Sequence, residues 1–100
     1  MTSRSATYNE RVRPWYLYIL QCRDNSFYVG ITTNINLRIQ KHNSGKGSRY
    51  VYSKRPVKLM FLESYKTESE ARKREIQIKG WTRRKKQLLI EGRLLSDFSS

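Results

Sequence analysis

Two short apolar runs, WYLYIL from Trp15 to Leu20 and FYVGIT from Phe27 to Thr32, flank a CRDNS segment, and they constrain the fold of this chain more than any other feature. Aromatic and β-branched residues on either side of Asp, Asn and Ser predict an antiparallel hairpin. Alternation puts Trp15, Leu17 and Ile19 on one face of the first strand and Tyr16, Tyr18 and Leu20 on the other. Tyr28, Gly30 and Thr32 share a face of the second. The connection leaves the register open, so nearness of Tyr18 to Tyr28 is an expectation.

The remaining pattern alternates helix and strand. Asn34 is placed to cap a short helix carrying Ile35, Leu37, Arg38, Ile39 and His42, which the glycines of NSGKG would stop. Val57 to Tyr65 reads as a third strand, apolar enough to be central. Thr67 and Glu70 match a capping box for a helix running to Lys79, ended by Gly80. Thr82 would cap a last helix with Leu88, Leu89 and Ile90 inside and Gly92 near its end. The order β-β-α-β-α-α predicts a small mixed α/β domain, a three-stranded antiparallel sheet flanked by helices. Residues 15–92 form that domain, with 1–14 a flexible lead segment and 93–100 a polar tail.

Charge narrows the partner. Lys and Arg number 21 against 8 acids, a formal net charge of +13 in 100 residues. That far exceeds what solubility asks of so short a chain and points to a polyanion. No acid falls between Asp24 and Glu63, while Arg38, Lys41, Lys46, Arg49, Lys54, Arg55 and Lys58 all do. That stretch predicts a continuous positive surface, with Lys41, Lys46, Arg49, Lys54 and Arg55 as nucleic-acid contacts. Acidic lipid is disfavoured, since no basic amphipathic helix with an aromatic face is present. Nor does any run approach the length of a membrane span, which reads as a soluble, cytoplasmic protein. One Cys and one His exclude an internal disulfide and a thiolate or imidazole metal cage. A metal here would use oxygen ligands.

Three groups of residues carry chemistry. Arg38 and His42, four apart, project from one helix face as a phosphate-facing pair, although such pairs are also common on solvated faces. Glu75 lies on the stripe of Ala71 and Ile78, so its carboxylate faces inward among Arg72, Lys73, Arg74 and Lys79. A carboxylate so placed is either half of a buried ion pair or an oxygen ligand for Mg2+, which takes only one or two protein carboxylates. Most of the seven tyrosines suit strand packing. Tyr18 or Tyr28 would act as a base only if a cationic, metal-bearing cleft lowered its pKa or relayed its proton.

YLY at Tyr16 to Tyr18, YVG at Tyr28 to Gly30, Arg38, the HN pair at His42 and Asn43, and Glu75 inside EARKREIQIKG together resemble the GIY-YIG nuclease domain. The likeness is greatest to its small stand-alone bacterial group. The resemblance implies that Tyr18 and Tyr28 activate the attacking water, that Arg38 holds the scissile phosphate and that His42 assists. It also implies that Glu75 binds the divalent metal, Mg2+ or Mn2+, and that Gly30 lets the backbone pass close to the site. The implied activity is hydrolysis of DNA phosphodiesters, branched and single-stranded forms included, with no small-molecule cofactor. Tyr16 and Leu17 depart from the glycine and isoleucine that give the first half-motif its name, and a bulky Tyr16 would narrow the cleft. A late polar amide common in the family has two candidates, Gln77 and Gln87. The readings in competition are a basic nucleic-acid-binding module that keeps the fold without turnover, and a structural RNA-binding protein.

Overall fold

The computed structural model describes residues 13–44 and 54–94. Strands β1 (Trp15–Gln21) and β2 (Phe27–Thr32) form the hairpin, followed by α1 (Ile35–Asn43), β3 (Lys58–Tyr65), α2 (Glu68–Lys79) and α3 (Arg83–Ile90). The element order and the three-stranded antiparallel sheet are those the sequence predicts.

The sheet order is β2-β1-β3, so β1 and not β3 is central. The reason lies in burial. Leu17, Tyr18, Ile19 and Leu20 are all at most 2% exposed, so β1 is covered on both faces, whereas Leu59 and Leu62 of β3 are 39% and 40% exposed. Unbroken apolar character marks a strand buried on both sides. In β3 the same character belongs to an edge strand, which joins β1 with a register irregularity between Ile19 and Leu20.

Two clusters fill the two faces. Tyr18, Leu20, Cys22 and Val57 pack with Tyr28 and with Ile35 and Ile39 of α1. Leu17, Ile19, Val29 and Ile78 pack with Trp81 and with Leu89 and Ile90 of α3. Helix α1 therefore covers one face, and α2 with α3 covers the other. Alternation along β1 sorts its side chains between these layers.

Local chemistry sets the helix starts. The Thr32 hydroxyl accepts from the Asn34 amide at 3.1 Å, and the Asn34 side chain accepts from the Leu37 amide at 3.0 Å. That swings the chain from β2 directly into α1. Helix α1 ends at Asn43 with Ser44 as its cap, before the glycines of NSGKG, which lie outside the described residues. Thr67 caps α2 by accepting from the Glu70 amide, while the Glu70 carboxylate reaches back one residue past the cap to the Lys66 amide. Thr82 caps α3 in the same way through the Lys85 amide. The Asn43 side chain clamps Val57, its Oδ1 accepting from the Val57 amide at 2.7 Å. That bond ties the end of α1 to the entry of β3 across the intervening segment.

A second polar network closes the α2 side. Arg74 forks onto both Glu63 oxygens at 3.0 and 3.2 Å, and the Tyr65 hydroxyl donates to Glu63 at 2.7 Å. Burial, then that hydrogen bond, pushes the Tyr65 phenol up to about 12. Arg74 is thus committed to β3, not to Glu75.

Candidate active site

The register decides what meets at the sheet. Tyr18 pairs with Gly30 and Leu20 with Tyr28, which puts Tyr18, Tyr28 and Gly30 on one face. The two tyrosine rings lie 6.3 Å apart between centroids. Gly30 has a specific reason to be glycine. A Cβ there would stand 2.5 Å from the Tyr18 hydroxyl oxygen and 2.7 Å from Cζ, well inside contact distance. The missing side chain makes the seat for the phenol.

His42 comes down onto this pair from the last turn of α1. It is 1% exposed, with its ring edge-on to Tyr28 at 5.3 Å and its Nε2 3.5 Å from the Tyr18 hydroxyl, the long limit of a hydrogen bond. Its Nδ1 is buried and has no hydrogen-bond partner among the described residues. The sequence puts His42 beside Arg38 on a phosphate-facing surface. In the structure the imidazole instead completes the tyrosine cluster, because the end of α1 points at the sheet.

Arg38 is half-buried one turn earlier, and among the described residues its guanidinium makes no hydrogen bond or ion pair. It acts electrostatically on both neighbours. Burial first, and Arg38 second, hold His42 below its ordinary value of 6.5, so the imidazole is neutral at physiological pH. The Tyr18 phenol is pushed up by burial and then by Tyr28, and Arg38 opposes the rise. At Tyr18 the lowering by a cationic cleft that the sequence suggests is therefore not what this protein by itself provides.

Glu75 approaches from α2. It is 8% exposed and near enough to Tyr18 for its charge to raise the phenol further. Its Oε1 meets Arg72 at 3.4 Å and its Oε2 meets Lys79 at 3.2 Å, both partners 54% exposed. The inward placement predicted from the α2 stripe holds. The ion pair and the free carboxylate are not alternatives, however, since two exposed cations cover the oxygens and can yield them.

The donor set limits what can bind. Among the described residues no three His, Cys, Asp or Glu side chains converge, so no closed protein cage is built here. A single carboxylate fits a hard cation such as Mg2+, which keeps most of its waters. Gln77 accepts from Arg74 and Gln87 donates to Glu91, so both late amides are engaged elsewhere. Tyr16 is half-buried two residues from Tyr18 on the same face of β1. Lys41 is exposed, Lys54 pairs with Asp24 at 3.1 Å and Arg55 is half-buried. Lys46 and Arg49 lie outside the described residues.

Residues 14–87 match the GIY-YIG catalytic domain, covering the hairpin, α1, β3, α2 and the first half of α3. The chain belongs to the GIY-YIG catalytic domain family. This is a nuclease family, with nucleic acid as its general substrate. UPF0213 proteins of Staphylococcus haemolyticus and Staphylococcus aureus are each 47% identical over 78 residues, which is 78% of this chain and 95% of theirs. The solution NMR structure of a UPF0213 protein from Bacillus halodurans is similar at a TM-score of 0.52 and 40% identity, covering 78% of this chain and 83% of that one. A protein from E. faecalis, also solved by NMR, gives 0.56 and 38%, covering 79% and 84%. No helix among the described residues is long and apolar enough to cross a membrane.

Sequence reasoning missed the Asn43 clamp, and of the four basic neighbours it named for an ion pair with Glu75, the structure pairs Arg72 and Lys79 with it. The asparagine carried a signal, since a polar side chain closing a helix just before a long connection is well placed to bind backbone across it.

Proposed function

We propose that this GIY-YIG protein is a divalent-metal-dependent endonuclease that hydrolyses DNA phosphodiesters at the Tyr18, Tyr28, Arg38, His42 and Glu75 cluster. One observation carries the reading. Arg38 has no hydrogen bond or ion pair among the described residues, yet it stands close enough to Tyr18 and His42 to shift both. A half-buried guanidinium with no partner among the described residues, beside a phenol and an imidazole, suits an anion.

The residues divide the work. His42, neutral because burial and Arg38 disfavour its cation, accepts the Tyr18 proton at Nε2, which requires the hydrogen on Nδ1. Tyr18 in turn takes a proton from the attacking water. This relay answers the raised Tyr18 pKa, because the phenol need not ionise on its own. Tyr28, half-buried at the rim of the cluster, orients that water. Arg38 holds the scissile phosphate and stabilises the charge that develops on its oxygens, a role worth roughly a hundred- to a thousandfold in rate for a single donor. Glu75 would hold Mg2+ or Mn2+, which when bound supplies positive charge to the phosphate and the leaving oxygen. Lys41, Lys46, Arg49, Lys54 and Arg55 position the backbone without reading sequence.

The test is a nicking assay on duplex, single-stranded and branched DNA, with Mg2+ or with EDTA. Metal-dependent nicking that is lost in Arg38→Ala and Tyr18→Phe is the expected result. Tight, salt-sensitive binding without nicking of any substrate would assign the chain to a binding role instead.

A further inference from the structure

The placement of His42 in the cluster is not explained by its own hydrogen bonds. Its Nε2 stands 3.5 Å from the Tyr18 hydroxyl, and its buried Nδ1 has no partner among the described residues. A base that activates a neighbour is commonly oriented by a third group bonded to it. No such group meets the second nitrogen here among the described residues, so the ring is held through its backbone and its packing.

That backbone is a helix end, where the last carbonyls lack partners within the helix and the turn frays. Ile35 and Ile39 fasten α1 to the layer of Tyr18, Leu20, Cys22 and Val57, and His42 is the one buried residue of the helix. An imidazole that was the last turn's only anchor would drift with it.

Asn43, the next residue, supplies a second anchor. Its side-chain amide meets the Val57 backbone twice, Oδ1 accepting from the amide at 2.7 Å and Nδ2 donating to the carbonyl at 3.4 Å. The pairing resembles one rung between strands and joins positions 14 apart in sequence. Val57 is a firm point of attachment, 5% exposed and packed in the same cluster as Tyr18. The end of α1 is thereby tied to the layer that holds the phenol. Asn43 itself is exposed, so core packing does not account for it. Its amide carries the donor and the acceptor that the two bonds need, whereas aspartate lacks the donor.

Resting on the nuclease reading above, we propose that Asn43 is a positioning residue for that reaction: its amide pins the last turn of α1 to Val57 and so holds the His42 imidazole against the Tyr18 hydroxyl.

The protein has a single histidine, so its imidazole signals in proton NMR identify themselves. The experiment follows them through a pH titration and measures kcat and KM for nicking. In the wild type the midpoint should lie below 6.5, and in N43A it should move up toward that value as the last turn admits water. The groups that face the imidazole, Tyr18 on β1, Tyr28 on β2 and Arg38 on α1, with the charge of Glu75 on α2 beyond Tyr18, are kept in that variant. Nicking by N43A should lose about tenfold to a hundredfold in kcat with KM unchanged, the scale of a small misplacement. Y65F is the control, losing a hydrogen bond to Glu63 on the other face of the sheet, and should match the wild type in both readings. N43D keeps the acceptor for the Val57 amide and should recover most of kcat, its pH profile displaced upward by the added negative charge.

A wild-type midpoint at 6.5, or an unchanged midpoint and kcat in N43A, overturns the proposal. A raised KM at unchanged kcat also overturns it and makes Asn43 a DNA contact. So do the same changes in Y65F, which trace them to lost stability, and an N43D as slow as N43A. Failure of N43A to fold overturns it too, since the clamp is then a requirement of folding and not of rate. Absence of nicking by the wild type fails the nuclease reading alone, because the titration still decides what holds His42.

Discussion

Replacing Glu75 with glutamine removes one charge from the centre of the site while keeping shape, and the structure fixes what that should cost. The carboxylate is paired at 3.4 Å with Arg72 and at 3.2 Å with Lys79, but both of those side chains are 54% exposed. Neither is stranded by the change, and Arg72 keeps Glu68 at 3.0 Å. Helix pairs of this kind contribute about 0.3 to 0.5 kcal/mol each, so the expected loss is close to 1 kcal/mol. For a domain of this size that lowers the melting temperature by about 4 to 8 °C. Breaking a fully buried pair would cost about 3 to 5 kcal/mol and a correspondingly larger drop. Stability alone therefore no longer separates an ion-pair role from a metal-ligand role, because both leave the protein folded. Activity does. If Glu75 holds the metal, E75Q should abolish nicking at every Mg2+ concentration, and DNA binding in EDTA should be equal or tighter. Wild-type nicking in Mg2+ would refute the ligand role, and a melting drop beyond about 12 °C would refute the exposed-pair reasoning.

Arg38→Ala should reduce nicking by at least about a hundredfold and change stability by under about 0.5 kcal/mol, since no hydrogen bond or ion pair to a described residue is lost. A large melting loss with modest activity loss would make it structural. Gly30→Ala should cost about 1 to 3 kcal/mol in the wild type and much less in a Tyr18→Ala background, because the added methyl meets the Tyr18 phenol. Additive costs in denaturant unfolding would count against that seat. His42 is held below its ordinary 6.5, so the unfolded chain takes up a proton first as pH falls. Its contribution is whole above about pH 6.5 and is lost below it, and between about pH 7.5 and 5.5 the wild type should lose more melting temperature than His42→Phe. Equal losses would mean the imidazole titrates as in water.

The fold was legible where local patterns carry the physics. The two β1 and β2 runs predicted their own hairpin, and Asn34, Thr67 and Thr82 announced their helices through a short polar side chain preceding an amide that needs a partner. Strand order was not legible. The run Leu59 to Leu62 is as unbroken in its apolar character as β1, and what separates them is that Leu59 and Leu62 stay 39% and 40% exposed at a sheet edge. Composition reports how much apolar surface a strand has, not how many faces are covered. The end of α1 falls in the NSGKG segment as the sequence suggests, and Ser44 closes the helix there through its amide bond to Gln40.

The site divides along the same line. Alternation on β2 and the stripe on α2 are periodicities, so the shared face of Tyr28 and Gly30 and the inward aim of Glu75 followed from the sequence. What Gly30 accommodates required register, because only the pairing of Tyr18 with Gly30 turns a small residue into a seat for a phenol. The proton chemistry required burial. A cationic stretch in sequence suggested a lowered tyrosine pKa, but desolvation outweighs Arg38 at Tyr18 and drives the phenol upward, while desolvation and Arg38 act together at His42 and drive the imidazole downward. The acid is made weaker and its neighbouring base is kept neutral by the same low-dielectric cluster. Under the proposed relay the neutral imidazole is the acceptor for the phenol's proton, a role that its place on the helix alone did not reveal.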